Sequence, residues 1–401
     1  MKILFLSHKI PYPPNKGDRI PAFYRMQHLS KQHEVSLAFP CYHKRELAHI
    51  KELRNYSMSI DTVLINPLFG KFKSGLAIFS KKPLTLPYFY SSELDRKIRM
   101  RIKEKGFDLI LIYSSSMAQY VEDLDSVPKV IDLADADSHK WLQYSEHTNF
   151  PMSLIYRLEY KRLKEYEKRL AESFDSSIAI SEDEKRLFGT YLDNSKMHVV
   201  SNGVDIEYYG SSRHQVTKSP DKAKSILFVG AMDYFANVDA VTYFCRKIFP
   251  LIKERVPEVK FYIVGSSPTA EVKRLASEDK SVVVTGFVPD VRPYLASSSV
   301  FVAPFRIARG IQNKILQAMA SGVPVVTSER GNEGISAKDG DEIFVADRND
   351  LFADNVVNLL NDKELRMRVS MASRRFVEAN FRWERNMEKL EGVLEGLVTK
   401  D

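Results

Sequence analysis

Short apolar runs alternate with helix-length segments along almost the whole chain of 401 residues, and this alternation constrains the fold more than any other feature. It is the pattern of parallel α/β sheets whose strands are joined by crossover helices. A first set of strands is predicted at 2–6, 35–38, 62–65, 109–113, 130–133, 177–180 and 197–200. A second set is predicted at 225–229, 260–264, 282–285, 300–303, 323–327 and 343–345. Residues 208–220, between the sets, are polar and without periodicity, which marks a linker or a domain edge. With 44% hydrophobic residues the chain can fill two cores. The expected fold class is therefore α/β, two doubly wound Rossmann-like domains facing across a cleft, with ligands beyond the carboxyl ends of the strands. The domains are expected at 1–206 joined by the C-terminal helix 381–401, and at 207–380. That last helix sets Trp383, Met387, Leu390, Val393 and Leu394 on one face, so it must pack on something, and its position permits a return to the first domain.

Residues 309–324 carry the chemistry most clearly. A glycine turn enters an amphipathic helix, which closes at Gly322 and runs into a strand. The backbone N–H groups of Gly310, Ile311, Gln312 and Asn313 are expected in the first turn of that helix, where they have no intrahelical partner and the macrodipole is positive. Arg309 and Lys314 add charge at the same end. Such a turn is suited to holding an anion.

Composition narrows the partners. The formal charge is +7, from 59 Lys+Arg against 52 Asp+Glu, a balance that favours polyanions, phosphorylated small molecules or an anionic membrane surface. Fourteen Lys/Arg but only six Asp/Glu lie between residues 44 and 105, so the excess sits in the first half. Two distant cysteines, Cys41 and Cys245, argue against a disulfide framework or zinc site. The N-terminus lacks a small-residue cleavage pattern and reads as a first strand. No run approaches the ~20 apolar residues of a spanning helix. A cytoplasmic protein is expected, peripheral on the inner face of the membrane, and the basic run has no nucleic-acid recognition motif. Residues 66–90 mix aromatics, leucines and lysines, which suits either an anionic lipid surface or a helix packed on the first domain.

Four segments in fixed order then resemble a known family. Phe228–Tyr234, Phe261–Gly265, Val284–Val291 and the turn-helix at 309–324 together resemble the nucleotide-sugar half of glycosyltransferase family 4. Residues 181–184 and 199–205 are similar to the segment leading out of that family's first domain. Through residues 131–141, 230–234 and 306–314 the likeness is closest to the sugar transferases of exosortase (PEP-CTERM) exopolysaccharide systems. The resemblance implies the two-domain GT-B fold, an acceptor-side first domain, a nucleotide-sugar donor in the cleft, no cofactor, no bound metal, and hexosyl transfer with retention to a saccharide or lipid-linked acceptor.

The resemblance also assigns the site. Donor contacts are expected from Gly17, Gly230, Val288, Arg306, Gly310, Ile311, Gln312, Asn313 and Gln317, and catalytic roles from Asp135, Asp137, Arg309 and Lys314. Gly17 belongs to a proline-stiffened loop after the first strand, Gly230 leaves space under the phosphates, and Val288 contacts the base. The family's basic pair after the first strand of the second domain is missing from Met232–Asp239, so Arg306, Arg309 or Lys314 is expected to replace its charge. The family's two glutamates, with seven residues between them, fall on Arg309 and Gln317. Gln317 keeps an acceptor for ribose hydroxyls, whereas Arg309 must bond phosphate or a carboxylate. Asp132, Asp135 and Asp137 are expected to project from a strand end, with Asp135 or Asp137 near the sugar and His139 as the rival. The two lost glutamates keep open an alternative, a non-catalytic sugar-nucleotide or glycan-binding protein of the same fold.

Overall fold

Near-continuous apolar strands bury both of their faces, and only a parallel sheet covered by helices on each side allows that. In the computed structural model, which describes residues 1–15, 17–210 and 224–398, the chain divides into two such units. Unit 1 is Met1–Ser201 with Glu384–Asp401, and unit 2 is Asn202–Trp383. Of the predicted linker at 208–220, residues 211–220 lie outside the described residues.

Unit 1 holds β1 (Lys2–Ser7), β2 (Glu34–Cys41), β3 (Ser59–Leu64), β4 (Leu109–Tyr113), β5 (Lys129–Asp132), β6 (Ser176–Ala179) and β7 (Met197–Val199). They pair in the order β3-β2-β1-β4-β5-β6-β7, all parallel. The helices that matter below are α1 (Arg19–Leu29), α2 (Pro67–Leu76), α3 (Thr85–Phe89), α4 (Asp137–Glu146), α5 (Met152–Ser173) and α6 (Glu182–Phe188). The strand order reverses between β1 and β4, whose residues Ile3–Leu6 and Leu109–Ile112 are fully buried. Their register sets Ser7 opposite Tyr113, so His8 and Ser114 leave the sheet side by side.

Unit 2 holds β8 (Ser225–Val229), β9 (Lys260–Val264), β10 (Val282–Gly286), β11 (Val300–Ala303), β12 (Val325–Thr327) and β13 (Phe344–Val345), in the parallel order β10-β9-β8-β11-β12-β13. Here the reversal falls between β8 and β11. Helix α7 (Phe235–Tyr243) follows β8, and α8 (Asn313–Ala320) follows β11. In each doubly wound unit the crevice beyond the strand ends at the reversal is where ligands bind.

Three local differences from the sequence expectation have physical causes. Helix α8 starts at Asn313 rather than in the glycine turn, because Gly310 adopts φ +60° and Gln312, at φ −81° and ψ 88°, is its non-helical N-cap. The predicted strand at 323–327 is shortened to Val325–Thr327. Gly322, at φ +68°, donates to the Met319 carbonyl and Val323 donates to that of Ala318, so Val323 is spent on a Schellman closure of α8. Strand β3 begins at Ser59, ahead of the apolar run that predicts it.

The C-terminal helix α9 (Trp383–Val398) buries Trp383, Met387, Leu390 and Leu394. Its Glu391 lies 3.3 Å from His28 Nε2 and 3.6 Å from His33 Nε2, at the end of α1 and just beyond it. The apolar stripe thus finds its partner surface in unit 1.

Candidate functional site

In unit 2 the reversal between β8 and β11 brings together the turn at Gly310, the start of α8 and the first turn of α7. Two glycines let the strand ends lie close. A Cβ at Gly265, which holds φ +156°, would sit 1.7 Å from the Gly230 carbonyl oxygen. The space beside Gly230 itself is filled: a Cβ there would meet the Asn237 amide at 2.7 Å. Gly230 therefore makes room for a side chain of α7, where the sequence suggested room for phosphates.

Lys314, on the first turn of α8, donates from Nζ to Asn237 Oδ1 at 2.6 Å, and Asn237 Nδ2 donates to the Ala231 carbonyl at 2.9 Å. The ammonium also lies 4.8 Å from the Phe305 ring centre and 5.5 Å from that of Phe228, contacts that favour a cation. Desolvation nevertheless pushes its pKa down to about 7. Of the three bases expected to supply the missing charge, Lys314 and Arg306 both reach the segment that lacks it, at Asn237 and Asp239.

Unlike Lys314, both arginines hold a carboxylate. Arg306 is exposed, forks onto Asp239, and covers the Tyr243 ring at 4.6 Å. Arg309 is largely buried and donates from Nη1 to Glu333 Oε1 at 2.7 Å, while its Nε is buried without a hydrogen-bond partner among the described residues. Gln312 folds back and donates to the Arg309 carbonyl at 2.9 Å, which closes the turn. The N-cap residue Gln312 makes no side-chain cap to α8. Because the helix starts late, Asn313 and Lys314 occupy its first turn, whereas Gly310, Ile311 and Gln312 precede it. The Asn313 Oδ1 atom is buried and without a partner among the described residues, and Gln317 stands one turn further along, half-buried. Val288 lies half-buried on the loop that leaves β10 through Gly286 at φ +71°.

In unit 1 the reversal between β1 and β4 carries a second cluster. His8 stacks on Tyr113 at 5.7 Å and meets Phe89 edge-on at 5.7 Å. Its pKa falls to about 4, chiefly through burial and then through Lys9, so the ring is neutral at pH 7. Its Nε2 lies 3.9 Å from Asp18 Oδ2. Burial opposes ionisation of Asp18, but Lys9 and His8 outweigh it and hold the carboxyl below the usual range. Gly17 precedes Asp18 with open space where a Cβ would be.

The three aspartates after β5 do not act alike. Asp132 does not project outward: it is fully buried in an ion pair with Arg25 of α1, Nε to Oδ2 at 2.6 Å. Its pKa is raised by burial, which Arg25 only partly offsets. Asp135 is half-buried, and burial followed by repulsion from Glu184 pushes it up to about 8, a carboxyl able to donate a hydrogen bond at neutral pH. Asp137 opens α4 and pairs with Lys140. His139 is buried between Tyr160 and Tyr191, with Nδ1 3.3 Å from Ser138 Oγ.

Two glutamates invisible to sequence spacing complete this edge. Glu184 of α6 accepts from the Ala136 N–H at 2.7 Å, and Glu167 of α5 accepts from the Ser138 N–H at 3.0 Å, from its hydroxyl at 2.6 Å and from Tyr191 at 2.8 Å. Glu167 is pushed up to about 7 by burial. The N-terminus of α4 is thus already supplied with carboxylates, unlike that of α8. Among the described residues no group of three His, Cys, Asp or Glu is arranged to hold a metal ion, and no helix is long and apolar enough to cross a membrane.

Comparison with known proteins agrees with this architecture. Residues 26–208 match the family described as "Glycosyltransferase Family 4", and residues 223–362 match "Glycosyl transferases group 1". An uncharacterized 44.6 kDa protein in the cps region of Klebsiella pneumoniae is 23% identical, over 95% of this chain and 96% of its own. A GDP-mannose-dependent alpha-(1-6)-phosphatidylinositol monomannoside mannosyltransferase of Mycobacterium tuberculosis is 31% identical over 37% of this chain, which spans only 42% of that protein. Among solved structures, Anabaena HepE in complex with UDP and glucose superposes with a TM-score of 0.68 at 16% identity, covering 98% of this chain and 99% of its own. The chain has the GT-B fold and is related to the family 4 glycosyltransferases.

Proposed function

We propose that this chain is a retaining, metal-independent glycosyltransferase that moves a hexosyl group from a nucleotide-sugar donor to a saccharide or lipid-linked acceptor in cell-surface glycan assembly. The observation that carries the reading is the uncapped start of α8, where Lys314 stands beside Asn237 at the strand-order reversal of unit 2. The leaving group is a nucleoside diphosphate, and the charge that grows on it is met by helix-terminal amides of Asn313 and Lys314 and by the Lys314 ammonium. Gln317 takes the ribose, Val288 the base, and Arg309 and Arg306 the outer face of the diphosphate or the sugar. Unit 1 receives the acceptor, with Asp135 or Asp137 accepting from or donating to a hydroxyl. Binding of UDP and glucose by HepE supports a nucleotide sugar as donor. The near full-length match to a cps-region protein is in keeping with an exopolysaccharide setting, and the mannosyltransferase's phosphatidylinositol monomannoside with a lipid-linked acceptor. In this reading the protein is cytoplasmic and peripheral on the inner face of the membrane.

A second reading rests on Arg309, whose pairing with Glu333 closes the position where the family carries a glutamate. In it the protein binds a sugar nucleotide or glycan without transfer. One experiment separates the two: incubation with a panel of sugar nucleotides and a polyprenyl-phosphate saccharide acceptor. Release of nucleoside diphosphate together with glycosylated acceptor supports transfer. Thermal stabilisation by a donor without release supports the binder.

A further inference from the structure

Helix α2 exposes a ridge that its own fold holds outward. Leu68, Phe72 and Leu76 recur at four-residue intervals along it, Phe69 stands three residues before Phe72, and Phe79 follows in the next turn. Leu68 is 74% exposed, Phe72 61% and Phe79 90%. Scattered apolar residues need no explanation on a protein surface, but a contiguous ridge of this kind marks a contact.

The segment is fastened from behind by polar groups of α5, so the exposure belongs to a defined surface. Arg162 donates to the carbonyls of Ala77 at 2.9 Å and Ile78 at 3.0 Å. The buried Glu159 accepts from the Thr85 N–H at 2.9 Å. Gly70 allows the Tyr88 ring of the α3 region to lie where a Cβ would be only 2.9 Å away.

Charge names the occupant. Residues 66–90 contain Lys71, Lys73, Lys81 and Lys82 and no acidic residue. At the root of the ridge an open basin of about 600 Å³ is lined by His43, Lys44, Arg45, Asn66 and Pro67 among others. It contains none of the groups assigned above to donor or catalysis. We infer that α2 and the turn after it dock on an anionic phospholipid bilayer, with Phe69, Phe72 and Phe79 among the acyl chains and the lysines and basin at the headgroup phosphates. The inference rests on the peripheral placement proposed above and is independent of the transfer step.

The test is flotation of the purified full-length chain with vesicles of phosphatidylcholine alone and of phosphatidylcholine mixed with phosphatidylglycerol. The protein is expected to float with the mixed vesicles, less so at high salt, and poorly with phosphatidylcholine. The variant F69S/F72S/F79S should lose at least about tenfold in apparent affinity, as the removal of inserted rings requires, with an unchanged melting curve and unchanged nucleotide binding. A separate variant, F72W, should shift its emission to the blue on adding mixed vesicles. Absence of flotation by the unaltered chain, equal flotation of the triple variant, or lipid-free self-association that the triple variant abolishes would each overturn the inference. Nucleotide binding in the same samples reports on the transferase reading separately.

Discussion

An ammonium held between two phenyl rings and one amide oxygen, as that of Lys314 is, gives up its proton near neutrality because burial removes water that would stabilise the charge. A bound diphosphate restores the missing counter-charge, so only the protonated form binds it well. Affinity for the nucleoside diphosphate is therefore expected to fall as pH rises through about 7, and calorimetric titration on both sides of neutrality measures this. In Lys314→Met the loss of a charged hydrogen bond should cost about 1.5–3 kcal/mol, roughly tenfold to a hundredfold, and flatten the pH profile. A second residue-scale prediction concerns Arg25. Its removal leaves the buried Asp132 carboxyl without its partner, so Arg25→Ala should destabilise unit 1 by about 3–5 kcal/mol in chemical denaturation, whereas the R25M/D132L pair should recover much of that loss. Sequence made the basic candidates legible but could not choose among them, because the choice depends on where Asn237, Asp239 and Glu333 stand. His8, Glu167 and Glu184 were illegible as site residues for the same reason: topology, rather than spacing, gathers them around Asp135 and the start of α4.

At the scale of elements, α8 keeps an uncapped N-terminus that a stability optimum would not leave. Gln312 turns its side chain to the Arg309 carbonyl and offers the helix amides no acceptor of its own. Gln312→Asp would supply one and complement the macrodipole, so thermal unfolding should shift upward by the equivalent of about 0.5–2 kcal/mol. The same carboxylate would repel a diphosphate, and nucleotide affinity should fall. If stability and affinity rise together, the helix end does not hold an anion. The strands were largely legible because a buried parallel strand writes itself as an apolar run. The helix start was not, since a left-handed Gly310 and a non-helical Gln312 resemble a helical first turn in composition alone. The end of α8 was readable through Gly322, yet the Schellman bonds took Val323 from the strand predicted there.

For the whole molecule, two units of the same doubly wound order share one logic. Each places polar residues at the reversal of its sheet, Lys314 and Asn237 in unit 2 and His8 with Asp18 in unit 1. The apolar stripe of α9 was legible in the sequence, and Leu390 and Leu394 are buried, but the stripe alone did not say which surface covers them. A cocrystal of the full chain with its donor nucleotide is the most direct measurement of the central claim. Diphosphate oxygens are expected within hydrogen-bond reach of the Asn313 and Lys314 amides and of Lys314 Nζ. A nucleotide bound elsewhere, with Lys314 still closed on Asn237, would contradict it.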